Sequence, residues 1–218
     1  MSLYRFRGIE RTSPAFRREL LAVAERLDTD PNYLAATMQT ESGFDAAAFN
    51  PTGGGGGLIG FMPATARALG TTVAKLRRMG DARQLRFVER FYSPFAGRLD
   101  SPRAVKLATF LPAFIDAPDS TVLGRRGATE ILKPSGLSLG VIYEQNAGLD
   151  SNQDGMITAG EVGATATRAY EAARERGLLE PSSAPPKAKA AAAALLQSLR
   201  SGWRWLWRRL SGGAENEA

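Results

Sequence analysis

Two stretches of this 218-residue chain carry groups able to do chemistry, and both rely on carboxylates. The chain has no His and no Cys, which removes Ser-His-Asp triads, thiol nucleophiles, disulfides and His/Cys zinc sites. Acid/base work must then fall to Asp, Glu, Tyr or Lys, a constraint that leans towards glycosidic chemistry. The first stretch is Glu41-Ser42-Gly43-Phe44, followed by Asn50-Pro51-Thr52-Gly53, a glycine run to Gly57, and Leu58-Ile59-Gly60-Phe61-Met62-Pro63. Leu34, Thr37, Met38 and Glu41 fall at i, i+3, i+4 and i+7, so Glu41 ends the inward stripe of a helix that Gly43 stops. Burial at that end, beside a glycine-lined gap, would favour the protonated form that a general acid needs. Asp45 is the nearest further acid. The glycine run is not a phosphate loop, because no Gly-Lys-Ser/Thr follows it.

The second stretch is Asp150 to Glu161. Oxygen donors stand at Asp150, Asn152, Asp154, Thr158 and Glu161, positions 1, 3, 5, 9 and 12, and the Met156 carbonyl takes position 7. Gly155 supplies the sharp turn at position 6 and Ile157 the apolar position 8. This is the pattern of an EF-hand calcium loop, with a helix expected from Glu161 to about Arg176. One Ca2+ is expected, in a structural role.

The Glu-Ser-Gly-Phe, Asn-Pro-Thr-Gly and Gly-Leu-Ile-Gly-Phe-Met-Pro-Ala-Thr-Ala run resembles the catalytic region of soluble-type (SLT) lytic transglycosylases, relatives of goose-type lysozyme. The resemblance is tight over residues 30–70 and extends more loosely over about 14–176. It implies a lysozyme-like helical fold, peptidoglycan glycan strands as substrate, and cleavage of the MurNAc–GlcNAc bond with Glu41 as the sole acid/base. It further implies substrate contacts from Ser42, Phe61, Met62, Tyr92 and Tyr143. The string Gln-Asn-Ala-Gly-Leu-Asp running into the calcium loop is similar to a phage and prophage subset of these enzymes. Three departures stand out. Gly60 replaces the Gln of Gly-Leu-Met-Gln, and the 102–115 segment lacks the Tyr that relatives carry there. Two residues also separate Tyr143 from Asn146, where the family has Tyr-Asn-Ala-Gly. The motifs therefore leave the partner of Glu41 unidentified, with Tyr92 and Tyr143 as the candidates.

The elements that position these groups read as all-α. Ser13-Pro14 and Asp30-Pro31 each pair an N-cap with proline at the first helical position, predicting helices over about 14–27 and about 31–42. Further helices are expected at about 63–69, 73–79, 82–92 and 102–115, the last kinked or restarted at Pro112. No segment shows strand alternation.

The organisation expected is a transglycosylase domain over 1–178, a Pro/Ala-rich linker over 179–194, and a basic, Trp-rich amphipathic tail over 195–218. Residues 187–218 hold six basic and two acidic side chains, +4 of the total net charge of +6. Residues 195–210 would bind an anionic membrane surface or a partner protein, and no nucleic acid is expected. The first residues show no secretory signal, and no 18-residue apolar run exists. Action at the bacterial cell wall, in the periplasm, outside the cell or on a virion, would then require a holin, virion or secretion machine. The alternative reading is a catalytically weak structural or wall-binding virion component with a membrane-active tail.

Overall fold

The computed structural model describes residues 1–180, so the linker from 181 onward and the amphipathic tail lie outside the described residues. Eight α-helices are present there: α1 Pro14–Leu27, α2 Pro31–Ser42, α3 Pro63–Ala68, α4 Val73–Arg77, α5 Asp81–Tyr92, α6 Pro102–Phe110, α7 Leu139–Asn146 and α8 Ala159–Glu175. The starts of α1, α2 and α6 share one device. Ser13, Asp30 and Ser101 each accept a backbone N–H in the first turn, and proline occupies the position whose N–H is not needed. Gly43, at φ 59°, ends α2 in the left-handed conformation. Pro112 ends α6 as expected, opening a separate 3-10 turn at Pro112–Phe114.

Helix α2 is the axis of the domain, packed against α1, α6 and α8. Leu34, Thr37 and Met38 are fully buried, so the stripe leading to Glu41 is the inward face. The main core joins α1, α2 and α5 to Leu58, Ile59 and Phe61 and to Ala166, Ala169 and Ala173 of α8. A smaller core gathers Leu107, Leu123, Tyr143, Ile157, Ala159 and Val162 beneath the 150–161 loop.

The all-α expectation needs one correction: three two-stranded antiparallel ribbons accompany the helices. Strand β1 (Leu3–Tyr4) pairs with β6 (Leu178–Glu180), which ties the two ends of the described chain together across the boundary expected at 178. Strand β2 (Val122–Arg125) pairs with β5 (Met156–Thr158), and β3 (Ile131–Leu132) with β4 (Leu137–Ser138). Strands of two to four residues are too short to show a period of two. Among the described residues, no helix is long and apolar enough to cross a membrane.

Candidate active site

Glu41 sits in the last turn of α2 with its side chain 23% exposed. Its partner is neither candidate tyrosine. Lys106 of α6, with its side chain only 8% exposed, forms an ion pair with Glu41 Oε1. The same ammonium lies 3.5 Å from Thr40 Oγ1, whose own hydroxyl donates to the Thr37 carbonyl.

Facing the other carboxylate oxygen is Gly60, at φ +65°. A Cβ built there would lie 3.3 Å from Glu41 Oε2, so the position at which the family carries Gln is here an opening against the acid.

The glycine run forms a wall beside this opening and is pinned rather than loose. Gly56 bridges both Phe49 and Phe61 in short antiparallel contacts. Asn50 Oδ1 accepts from the N–H groups of Thr52 and Gly53. Behind the wall lies Gln84 of α5, fully buried. Its Oε1 accepts from the Leu58 N–H at 3.0 Å, and its Nε2 donates to the Ala46 and Leu76 carbonyls at 2.5 and 2.7 Å. Gly57 must be glycine for this contact, because a Cβ there would come within 2.6 Å of Gln84 Oε1. Ser42 completes the frame: its hydroxyl is shared between the Leu58 carbonyl at 2.9 Å and the Met38 carbonyl at 3.2 Å. It thus couples the end of α2 to the wall.

The residues expected to contact sugar are distributed unevenly. Met62 is 48% exposed, and its sulfur lies over Gly55. Phe61 is only 2% exposed and meets Phe91 edge-on at 6.3 Å, so its ring supports the wall from within the core. Tyr92 is buried, and its hydroxyl is 2.5 Å from Thr109 Oγ1. Thr109 already donates to the Val105 carbonyl, so Tyr92 must be the donor in that pair. Burial pushes the Tyr92 phenol well above its ordinary pKa; the Thr109 bond opposes this and the Glu41 charge adds to it. Tyr143 belongs to the other site. Its hydroxyl donates to Asp150 Oδ2 at 2.8 Å and accepts from Arg126 at 2.6 Å.

That second site is the loop over 150–161. Gln153 and Gly155 take positive φ (60° and 83°), Ile157 points into the small core, and β5 pairs with β2. The donors are turned onto the loop itself. Asp150 accepts from the N–H groups of Asp154 and Gly155, Asp154 Oδ1 accepts from Met156 N–H, and Asn152 donates to Asp154 Oδ2. Glu161 forms a capping box with Thr158 at the start of α8 and accepts from the Ser151 N–H and hydroxyl. Burial would raise both Asp150 and Glu161, but these hydrogen bonds outweigh it and hold each carboxyl below its ordinary value. Among the described residues, no three Asp, Glu, His or Cys side chains are gathered as a ready metal cluster. The donor set is all oxygen and half of it anionic, a chemistry that fits a hard cation.

Lys106 and Gln84 are residues of this candidate site that sequence reasoning overlooked. Each had a faint signal. Lys106 interrupts an apolar helix, and Gln84 lies just ahead of the Leu85 and Val88 stripe.

Residues 20–85 match the family model described as the Transglycosylase SLT domain. No curated protein and no solved structure matches the chain. The matched segment runs from α1 into α5 and encloses Glu41, Ser42, Gly60, Phe61, Met62 and Gln84, but not Lys106, Tyr143 or the 150–161 loop. It supports lytic transglycosylase chemistry on peptidoglycan in general.

Proposed function

We propose that this protein cleaves peptidoglycan glycan strands as a lytic transglycosylase of the phage or prophage type, with Glu41 as its acid/base. The observation that carries the reading is Glu41 itself: a carboxylate at the end of a buried helix, open on one side at Gly60, and inside the matched segment. Glu41 donates a proton to the oxygen linking MurNAc to GlcNAc. The same carboxylate then takes the proton of the muramic C6 hydroxyl as that oxygen closes on C1, giving a 1,6-anhydro end without a second carboxylate. The two-carboxylate scheme of most glycosidases would require a second acid across the cleft.

The 150–161 loop is proposed to take one calcium ion through Asp150, Asn152, Asp154, Thr158, Glu161 and the Met156 carbonyl. The ion would supply charge neutralisation and tie α8 to the small core, away from the chemistry. Residues 195–210 are proposed to bring the enzyme to an anionic membrane surface or a partner protein, and the cell wall is the proposed place of action.

A second reading, a wall-binding component of low activity, is favoured by Gly60 and by the absence of a tyrosine hydroxyl on Glu41. Release of soluble muropeptides from purified sacculi separates the two. Turnover by wild type that is lost in Glu41→Gln supports the enzyme; equal, negligible release by both supports the binding component.

A further inference from the structure

Lys106 stands in the middle of α6 between fully buried Val105 and Leu107 and is itself 6% exposed. An ammonium held there is costly unless an anion answers it, and the answering anion is the group proposed to do the chemistry. The contact is one-sided. Lys106 takes Oε1, Thr40 accepts a second proton of the same ammonium, and Oε2 is left on the Gly60 side.

We propose that Lys106 is a positioning residue for Glu41, fixing Oε1 so that Oε2 is the oxygen that exchanges protons with the glycan. The inference rests on the transglycosylase reading and adds to it a cation that the sequence motifs do not contain. When Oε2–H gives its proton to the glycosidic oxygen, the C1–O bond breaks and a carboxylate remains. The Lys106 charge already faces that carboxylate, so no reorganisation is needed as negative charge appears. Oε2 then recovers a proton from the C6 hydroxyl as O6 bonds to C1, which restores the protonated Glu41 that begins the step; the ion pair of the structure corresponds to the state between the two proton transfers.

Tyr92 does not duplicate this role. Its hydroxyl proton goes to Thr109, one helical turn beyond Lys106 on α6.

The test compares wild type with Lys106→Met, Lys106→Gln and Lys106→Arg on soluble, uncross-linked glycan strands. Values of kcat and KM are taken separately, below the Tm measured for each variant. A misplaced catalytic group costs on the order of 100-fold, so Lys106→Met and Lys106→Gln should lose about that in kcat. Their KM should stay within about twofold, because ground-state sugar contacts are untouched. Lys106→Arg keeps the charge and should recover a substantial part of kcat. Lys106→Gln keeps one donor for Oε1 without the charge, so it serves if Lys106→Met does not fold.

Wild-type kcat in either neutral variant, or a loss confined to KM, overturns the positioning role while leaving the enzyme standing. No cleavage by wild type overturns the enzyme reading and this role with it.

Discussion

Gln84→Met is the perturbation that most directly asks whether the glycine wall is a built part of the site. Methionine keeps the length of the side chain and removes three buried hydrogen bonds, to Leu58 N–H and to the Ala46 and Leu76 carbonyls. A buried polar group left without a partner costs about 1–3 kcal/mol. The Leu76 carbonyl keeps the Met79 N–H at 2.9 Å, so two groups are orphaned, and the lower figure for each gives about 2 kcal/mol. For a domain of this size that corresponds to a fall in Tm of about 4–8 °C. Thermal unfolding followed by circular dichroism reads it. Freeing Leu58 N–H also loosens the turn that Ser42 clamps, so cleavage should fall at temperatures where the variant is still folded. Gln84→Glu keeps the acceptor for Leu58 and loses both amide donors, so it should not restore the wall. A Gln84→Met protein melting within about 2 °C of wild type would refute the reasoning.

Other expectations follow from the same geometry. Gly60→Ala places a methyl 3.3 Å from Glu41 Oε2 at φ +65°, a left-handed position that costs a side-chain-bearing residue about 1 kcal/mol. Turnover on sacculi should fall by more than the change in Tm explains, and unchanged turnover would show that Oε2 does not use this opening. Tyr92→Phe removes a hydroxyl that donates to Thr109, so it should cost about 1 kcal/mol of stability while kcat stays within about threefold. A collapse of kcat in that variant would place Tyr92 on Glu41 directly. Calcium at about 100 times its Kd should raise wild-type stability by about 2.7 kcal/mol, and Asp150→Ala should abolish the shift in a thermal melt. Glycan cleavage should survive chelation at temperatures below the calcium-free Tm, and its loss there would give the ion a part in the chemistry.

The sequence made α1 and α2 legible, because Ser13-Pro14 and Asp30-Pro31 mark their starts and Gly43 the end of the second. Gly155 and Ile157 likewise announced the turn and the buried position of the 150–161 loop. What stayed hidden depends on contacts far apart in the chain. The ribbons are too short to pattern, and β2 finds β5 only because the small core brings them together. Tyr92 and Tyr143 were both plausible partners by type, yet Thr109 and Asp150 claim their hydroxyls first. Lys106 was readable as an oddity, a cation inside an apolar helix, but only the packing of α6 on α2 shows which anion it meets. Gln84 would be taken for a solvent-facing residue. Its burial follows from the three main-chain groups that converge on it.

Whether Glu41 alone serves as acid and then base is decided by mass spectrometry of the soluble products from purified sacculi. Wild type and Glu41→Gln are digested side by side in calcium. Wild type should release 1,6-anhydro muropeptides and Glu41→Gln none. Reducing-end muropeptides from wild type would contradict that dual role, since water would then be the nucleophile and a second group, near Asp45 or elsewhere, would have to activate it.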